Sequence, residues 1–453
     1  MRDLEDTIVA LSTPVGIGAI GVIRISGLEA INIAQKIFRG KKLADQLSHT
    51  AHFGYIMDGE VVVDEVVATI FIAPKSFTKE NIVEISCHGS EFIIRRIIKL
   101  LIKNGGRYAK AGEFTQRAFL NGRFDLAQAE AVADLIASDS EAAHTAAMNQ
   151  MRGGFSQEIK NLREKLVNFA SLIELELDFA EEDVEFANRE DLKQLVYAIL
   201  KVLEPLINSF DLGNVLKSGV PTVIAGKPNA GKSTLLNALL NEEKAIVSEI
   251  AGTTRDVIED EINIEGIKFR FIDTAGLRET IDKLEAIGIE RTRQKMKEAS
   301  LIIYLFDVNT TTVEALKVEQ IELQKSSIPF LLVGNKVDQA ENVADFKIFE
   351  NIHFLSAAQK TGVEELKKRL LVSVKLDNFK TGNTVVTNIR HFESLINTKH
   401  ALEAVLQGLD TGITGDFLAM DIRQALYHLG LITGEVTNDE LLGNIFSKFC
   451  IGK

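Results

Sequence analysis

The chain has 453 residues, 46% of them hydrophobic and 25% charged, which is a globular composition with room for about two to four domains. No apolar run reaches the ~18 residues of a membrane span, the first six residues include three acids, and only two cysteines occur, so we expect a cytoplasmic protein without a membrane partner, a secretory signal or a disulfide framework. The net charge of −13 argues against broad, non-specific binding of nucleic acid, because such binding depends on neutralising phosphates.

Residues 1–118 have the pattern of a mixed α/β domain. β-branched runs at 20–25 and 61–72 predict strands, and the helical spacing of apolar residues at 91–103 predicts a helix. This segment carries 15 Lys and Arg against 13 Asp and Glu, whereas 119–216 carry 8 against 18. A polynucleotide partner would therefore need a local patch, a protein partner or a transient encounter.

Residues 126 to about 210 are predicted to be helical, because apolar residues recur at intervals of three and four. The pair Gly153 and Gly154 is the one clear break that this pattern predicts. Helical spacing returns at 389–406, 417–429 and 439–449. Neither amphipathic half can bury its apolar face alone, so we expect one bundle, built from 119–217 and 377–453, with 218–376 inserted into it.

The inserted segment begins with a phosphate-binding motif. The sequence G-x-x-x-x-G-K-S runs from Gly226 to Ser233, between a predicted strand at 221–225 and a predicted helix at 234–240. Backbone N–H groups of such a loop surround phosphates at a helix N-terminus, Lys232 adds a positive charge, and the Ser233 hydroxyl is a Mg²⁺ ligand.

Two further motifs are typical of GTPase switch regions. Thr254, in the G-T-T-R-D run, offers a second hydroxyl for Mg²⁺, and Asp273, in D-T-A-G, supplies a Walker-B carboxylate after the strand predicted at 269–272. Leu277, the residue directly after D-T-A-G, occupies the position where Ras-like proteins have the glutamine that orients the attacking water. Another group must orient water, and a cation must supply the transition-state charge that an arginine finger would provide.

The last two motifs predict guanine recognition. N-K-V-D at 335–338 follows a strand predicted at 330–333, and its Asp338 can accept both hydrogens of the guanine N1–H and 2-amino group. S-A-A at 356–358 matches the loop whose backbone amide meets guanine O6. Any one motif could be coincidence, but all of them in this order predict a Ras-like P-loop G domain at 218–376.

These motifs, together with the terminal F-C-I-G-K at 449–453 and G-E-F-T-Q-R-A-F-L-N at 112–121, resemble the MnmE (TrmE) family of tRNA modification GTPases. The resemblance covers the whole chain. It implies a multidomain α/β and α fold, with an N-terminal folate-binding-like and dimerisation domain (1–118), a discontinuous helical bundle and an inserted G domain. The residues predicted to contact GTP are Asn229, Ala230, Gly231, Lys232, Ser233, Thr234, Ser248, Glu249, Ile250, Ala251, Gly252, Thr253, Thr254, Asp273, Thr274, Ala275, Gly276, Asn335, Lys336, Asp338, Ser356, Ala357 and Ala358.

The family is activated by K⁺ and by dimerisation of its G domains, and the resemblance assigns both functions to particular residues. The implied K⁺ ligands are Asn229, Ser248, Ile250 and Thr253. A monovalent cation held against the phosphates would take the electrostatic place of the missing arginine. The resemblance also makes Glu285 the acid that positions water, whereas composition alone favours a solvated helix face.

The resemblance further implies a tetrahydrofolate site, with methylenetetrahydrofolate as the one-carbon donor. Its positions are Arg24, Glu84, Arg123 and Lys453, and without the resemblance Arg24 and Glu84 would be interpreted as a surface cation and a strand acid. Arginine and glutamate complement the carboxylate and pterin ends of a folate. Ile17 and Arg123 depart from the family, which more often has a basic residue and lysine there.

The C-terminal Cys450 has three interpretations. C-I-G-K superficially fits a prenylation box, but lysine is a poor final residue and no polybasic stretch precedes it. The family interpretation places the tail near the folate site, with a thiol that assists modification. A structural free thiol is an equally good interpretation of the sulfur.

The resemblance as a whole implies a homodimeric, K⁺-dependent GTPase that uses GTP and Mg²⁺ to modify tRNA. With MnmG (GidA), a partner that contains FAD, in a heterotetramer, it would add an aminomethyl or carboxymethylaminomethyl group to C5 of the wobble uridine (U34). A ribosome-assembly GTPase is a rival that leaves the N-terminal domain and the tail unexplained. A regulatory GTPase with a degenerate folate domain is another, and a folate-binding assay discriminates it.

Overall fold

The computed structural model describes residues 6–178, 188–243, 260–272, 299–326, 328–340, 343–374 and 384–452. The chain forms two compact units. The first comprises Met1–Ala137, Ala147–Leu203 and Glu393–Lys453, and the second comprises Ser138–Ala146 and Glu204–Phe392.

The first unit contains a mostly antiparallel sheet. Its strands are β1 (Ile8–Leu11), β2 (Ile20–Ser26), β3 (Phe38–Gly40), β4 (Thr50–Asp58), β5 (Val61–Phe71), β6 (Ile82–His88) and β7 (Arg107–Tyr108). Within the described residues the strand order is β3-β4-β5-β6-β2-β1-β7, and the pair of β1 and β7 is parallel. The strands predicted at 20–25 and 61–72 are confirmed, each to within a residue at either end.

Two helices, α1 (Ala30–Ile37) and α2 (Glu91–Lys103), complete the core of this sheet. The bounds of α2 agree with the prediction, and its buried side chains are Ile94, Ile97, Leu100 and Leu101. They join the inward side chains of β2 and β6 in one apolar cluster. The prediction of a mixed α/β N-terminal fold is confirmed.

The remaining helices are α3 (Glu113–Leu120), α4 (Leu126–Ala137), α5 (Glu141–Met151), α6 (Gly154–Asp178), α7 (Arg189–Asn208), α8 (Phe210–Ser218), α9 (Lys232–Glu243), α10 (Val313–Gln324), α11 (Val363–Ser373), α12 (Ile389–Thr411), α13 (Gly415–Thr433) and α14 (Asp439–Phe446). In the first unit α13 packs along α6, and α14 packs on α3. Arg423 of α13 pairs with Glu174 of α6 at 2.9 Å, and Lys193 of α7 pairs with Asp410 of α12 at 2.6 Å. The helices on both sides of the inserted segment therefore form one bundle, as predicted.

The predicted break at the glycine pair is present, and the described residues show others, one of them at Ser209 between α7 and α8. Helix α5 ends at Met151 and α6 begins at Gly154, with Gly153 in the left-handed region at φ +86°. A further break separates α4 from α5 at 138–140, so the prediction of a single clear break is wrong. No glycine or proline marks this break; Ser140 Oγ accepts a hydrogen bond from the Ala143 N–H at 3.2 Å and caps α5.

The second unit contains a mostly parallel sheet. Its strands are β8 (Val220–Ala225), β9 (Asp260–Ile264), β10 (Ile267–Phe271), β11 (Leu301–Asp307), β12 (Phe330–Asn335) and β13 (Ile352–Phe354). Within the described residues the order is β13-β12-β11-β8-β10-β9, and the pair of β9 and β10 is antiparallel. The carboxyl ends of parallel strands meet at one edge of the sheet, where ligands of open α/β folds bind.

These two sheets and the bundle confirm the predicted multidomain α/β and α fold class. The central strands β8, β11 and β12 are apolar runs because they are buried within a layered α/β core. Within the described ranges, none of the helices combines the length and the apolarity that crossing a bilayer requires.

Candidate GTP site and N-terminal cavity

The phosphate-binding loop leaves β8 in a backbone conformation that requires glycine. Gly226 has φ +145°, and a Cβ at this position would overlap the carbonyl oxygen of Leu305 on β11. Gly231 has φ +97°, and a Cβ there would overlap the Asn335 side-chain amide. Both glycines of the G-x-x-x-x-G-K-S motif are thus needed for close packing as well as for turning the chain.

Lys232 lies at the start of α9, directly after the loop. Its Nζ donates hydrogen bonds to the carbonyl oxygens of Gly226 at 2.9 Å and Lys227 at 3.0 Å. Burial lowers the pKa of this ammonium group from its usual value. The lysine therefore holds its positive charge inside the curve of the loop, next to the amides that the motif provides for phosphates.

Asn335 connects the loop to the guanine motifs. Its side chain is 2% exposed; Nδ2 donates to the Ala230 carbonyl at 2.8 Å, and Oδ1 accepts from the Ala357 N–H at 3.0 Å. A single buried amide thus fixes the phosphate loop and the S-A-A loop relative to each other.

The other guanine-motif residues lie beside this connection. Asp338 is exposed in a short 3₁₀ helix, Val337–Gln339, that follows Lys336 at φ +65°. Ser356 is fully buried, and its Oγ accepts from the Gln359 N–H at 3.2 Å, whereas Ala358 is exposed. The structure therefore brings together the predicted residues at 229–234, 335–338 and 356–358.

Asp307 is a residue of this site that the sequence analysis missed. It ends β11, its Oδ2 pairs with Lys336 Nζ at 2.8 Å, and its Oδ1 accepts from the Asn309 backbone N–H at 2.9 Å. Burial opposes ionisation of Asp307, but hydrogen bonds from Lys336 and Asn309 lower its pKa below the usual value. The sequence does contain a feature that could have identified Asp307. It is an acid at the carboxyl end of an apolar parallel strand, β11, next to the strand β12 that leads into N-K-V-D.

Several predicted residues lie outside the described part of the chain. They are Ser248, Glu249, Ile250, Ala251, Gly252, Thr253, Thr254, Asp273, Thr274, Ala275, Gly276, Glu285 and Lys453. Of the predicted Mg²⁺ and K⁺ ligands, Ser233 and Asn229 are described. Ser233 lies in the first turn of α9, and Asn229 is exposed in the loop at φ +63°.

Arg24 and Glu84, predicted to bind folate, are direct neighbours on β2 and β6. Their side chains form an ion pair at 2.8 Å and are largely buried. The Arg24 guanidinium also lies over the rings of Phe77 and Phe114, at 5.2 and 5.6 Å from the centroids. This pairing places the two predicted folate residues at one site.

Arg123 contacts the same Phe77 ring. Its guanidinium is near the rings of both Phe77 and Phe124, at 5.3 and 5.1 Å from their centroids, and it donates a hydrogen bond to the Ser76 carbonyl. Burial, and then the positive charge of Arg24, lower the pKa of Arg123 from its usual value. Two guanidinium groups therefore share one aromatic ring, an arrangement that favours an anion nearby.

A cavity of about 580 Å³ opens beside these residues, with Glu84, Arg123 and Phe77 in its lining. This volume falls in the range of small-molecule sites, ~300–1,000 Å³. The structure thus brings three of the predicted folate residues, Arg24, Glu84 and Arg123, to one cavity or its immediate margin. Ile17, at the position where a basic residue is common, is 97% exposed.

The C-terminal tail packs on the N-terminal sheet within the first unit. The Cys450 carbonyl accepts from the Gly112 N–H at 3.3 Å, and Ser12 Oγ donates to the Gly452 carbonyl at 3.2 Å. A Cβ on Gly452 would overlap the Leu11 carbonyl oxygen. The tail therefore lies along the end of β1, whose Ala10 pairs with Arg24, and the Cys450 side chain is exposed.

Comparison with known proteins gives matches over the whole chain. Residues 126–450 match the model of the MnmE helical domain, and residues 7–123 match the GTP-binding protein TrmE N-terminus. The tRNA modification GTPase MnmE of Cytophaga hutchinsonii is 61% identical over 450 residues, covering 99% of this chain and 98% of that protein. The protein of the same description from Christiangramia forsetii is 54% identical over 472 residues, covering 99% and 100%.

Among solved structures, the FeoB G-domain of Methanococcus jannaschii is similar, with 27% identity and a TM-score of 0.27 over 34% of this chain and 97% of that one. The full-length relatives and the two matched domain models decide the assignment. The chain belongs to the MnmE family of tRNA modification GTPases.

Proposed function

We propose that this GTPase is stimulated by K⁺ and acts with an FAD-containing partner, MnmG, on the wobble uridine of certain tRNAs. The pair would add an aminomethyl or carboxymethylaminomethyl group to C5 of U34. The single observation that carries the nucleotide part is Asn335, which joins the phosphate loop to the guanine loop through two buried hydrogen bonds. The N-terminal cavity beside Arg24, Glu84 and Arg123 supports the folate part.

The described residues have distinct tasks in this proposal. Lys232 and the loop amides neutralise and orient the β- and γ-phosphates, while Asp338 accepts the guanine N1–H and 2-amino hydrogens. Lys336, held by Asp307, lies beside Asp338 in the N-K-V-D motif. The Ala357 amide is already committed to Asn335, so guanine O6 would be met by a neighbouring amide of the same loop.

The proposed site would hold two metal ions, Mg²⁺ and K⁺. Ser233 at the first turn of α9 has the hydroxyl oxygen that Mg²⁺ prefers, and Thr254 would be its second protein ligand. Asn229 has an exposed amide oxygen at the phosphate loop and would hold K⁺ with Ser248, Ile250 and Thr253. K⁺ would supply positive charge at the phosphates, where Leu277 replaces the Ras glutamine and no arginine finger is identified in the sequence. Glu285 would orient the attacking water.

The folate site would supply the one-carbon unit from methylenetetrahydrofolate. Glu84 would accept hydrogen bonds from the pterin, and the Arg24 and Arg123 guanidinium groups would attract the carboxylate end. Lys453 would complete the site, and the exposed Cys450 would be available for a role in modification. A homodimer built on the N-terminal domains and a heterotetramer with the partner would bring these parts together.

The function is tested by nucleoside mass spectrometry of tRNA from a strain that lacks the protein. The wild-type chain should restore C5-substituted U34, while Glu285→Ala, expected to lower kcat for GTP by about 10²-fold with nucleotide affinity retained, should not. An unchanged nucleoside profile in the deletion strain would favour the ribosome-assembly GTPase. Restoration without detectable folate binding would favour the regulatory GTPase with a degenerate folate domain.

A further inference from the structure

The lining of the N-terminal cavity carries an excess of positive charge. Lys75, Lys79 and Arg123 line the cavity together with His49, and among the described residues Glu84 is its one carboxylate. Glu84 is already paired with Arg24 at 2.8 Å. The charge of Glu84 is therefore neutralised by Arg24, and Glu84 does not neutralise the charges of Lys75, Lys79 and Arg123.

The described part of the chain offers these three cations no carboxylate within ion-pair distance. Lys79 Nζ donates to the Gly122 carbonyl at 2.8 Å, and Arg123 donates to the Ser76 carbonyl. Carbonyl oxygens satisfy donors but carry no net charge. The positive potential of the cavity is thus available to a ligand.

The cations follow an order that begins at the ion pair of Arg24 and Glu84. Arg123 comes first, because its guanidinium shares the Phe77 ring with that of Arg24. Lys75 and Lys79 are exposed on the segment that follows β5. A ligand with a flat polar head and a chain of carboxylates matches this order, because its head can lie beside Glu84 while the chain passes Arg123 and reaches the lysines.

We infer that Lys75 and Lys79 bind the poly-γ-glutamate chain of a polyglutamylated tetrahydrofolate, making the preferred ligand of this cavity a polyglutamate. This inference rests on the proposed folate site. A monoglutamate carries two carboxylates, and every further γ-linked glutamate adds one net negative charge. Arg123 and the margin of the cavity suffice for the first glutamate, and the exposed lysines are placed for those that follow.

The test is calorimetric titration of the full-length chain with tetrahydrofolate monoglutamate and with its γ-linked triglutamate. At low ionic strength the wild type should bind the triglutamate about three- to tenfold more tightly, the sum expected of two partly exposed charge contacts. The preference should shrink as salt is added. In Lys75→Gln/Lys79→Gln it should vanish, while affinity for the monoglutamate stays within about twofold of the wild type.

The matched control is Lys99→Gln/Lys103→Gln, which removes the same charge from exposed positions on α2, away from the cavity lining. This variant should keep the preference for the triglutamate. Equal wild-type affinity for the two ligands, or a preference that survives in Lys75→Gln/Lys79→Gln or disappears in the control, would overturn the inference while leaving the folate site in place. Failure of both ligands to bind the wild type would overturn the folate site and the inference together.

Discussion

At the scale of single residues, Asn335 connects the phosphate loop of the nucleotide site to its S-A-A loop. Its buried side chain bonds the Ala230 carbonyl and the Ala357 N–H, which belong to motifs more than a hundred residues apart in sequence. Its amide is also packed against Gly231, where a Cβ would collide with it. The first residue of N-K-V-D is therefore a structural connector, while the last, Asp338, is exposed, as its proposed contact with the base requires.

Asn335→Ala should release guanine nucleotides faster, by about tenfold or more. The change leaves the Ala230 carbonyl and the Ala357 N–H buried without their partner, at a cost of about 1–3 kcal/mol for each group. Displacement of a fluorescent GDP analogue measures the rate. Asn237→Ala, on the exposed side of α9, is the control and should behave as the wild type; equal rates for both variants would contradict the role of Asn335.

Asp338→Asn should weaken GTP binding by about 2–3 kcal/mol, the scale of a charge-assisted hydrogen-bonded pair. The new amide donor suits a C2 carbonyl, so the variant should accept xanthosine nucleotides that the wild type rejects. Competition binding with GTP and XTP makes the comparison. Undiminished GTP affinity in the variant would show that the base is recognised elsewhere.

The sequence predicted which residues belong to the nucleotide site better than it predicted the contacts between them. Each motif is recognised by the spacing of a few neighbouring residues, so 229–234 and 335–338 could be identified without a structure. The ion pair of Asp307 with Lys336 and the contact of Arg123 with the Phe77 ring join residues far apart in sequence. Such contacts depend on strand order and loop packing, which local spacing does not contain.

At the scale of elements, a charged cluster ties β1 and α3 to the loop that leads to β6. Arg117 of α3 is 1% exposed and pairs with Asp6 at 2.7 Å, Glu80 at 3.2 Å and Glu113 at 3.2 Å. Arg107 pairs with Asp6 and Glu113 from β7. The cluster braces the loop whose residues Ser76 and Phe77 contact Arg123, so it supports the cavity wall.

The first unit should lose stability in acid through this cluster. Hydrogen bonds from Arg107 lower the pKa of Asp6; burial raises that of Glu113, but Arg107 outweighs it and the net pKa is lowered as well. Folded values below the ordinary 3.8 and 4.5 mean that the stabilisation is fully present at neutral pH. It should begin to fall below about pH 4.5 and be lost as the pH passes through the folded values.

Glu113→Gln tests this, with thermal unfolding measured from neutral pH down to about pH 3. The variant should be less stable than the wild type by about 1–3 kcal/mol at neutral pH, and the difference should shrink in acid. Glu60→Gln, at an exposed turn, should show no such dependence. A stability difference that stays constant across the pH range would remove Glu113 from the account.

Helices and strands with a strong apolar pattern were predicted well, whereas a helix boundary that depends on a polar capping residue was not. Helix α2 has its apolar residues three and four apart, so its bounds could be predicted from spacing alone. The break between α4 and α5 depends on Ser140 capping α5, in a run with no glycine or proline. A serine is compatible with a helix interior, so the sequence left this break unmarked.

At the scale of the whole molecule, the chain combines a GTP site in one compact unit with a second candidate site in the other. The discontinuous bundle follows from the sequence, because the helices before and after the inserted segment each need a partner for their apolar face. What the sequence also shows at this scale is an absence: Leu277 cannot orient water. In the proposed mechanism a K⁺ ion at Asn229 supplies the missing positive charge and Glu285 orients the attacking water.

The most direct measurement is therefore the rate of GTP hydrolysis by the full-length chain in KCl and in NaCl at equal ionic strength. Screening is then the same, and the account predicts a rate several-fold or more higher in KCl, because Na⁺ is too small for the same ring of oxygen ligands. Asn229→Ala should remove the difference while Mg²⁺-dependent nucleotide binding persists. Equal wild-type rates in the two salts would contradict the cation mechanism and make Arg255 and Arg278 the first residues to test instead.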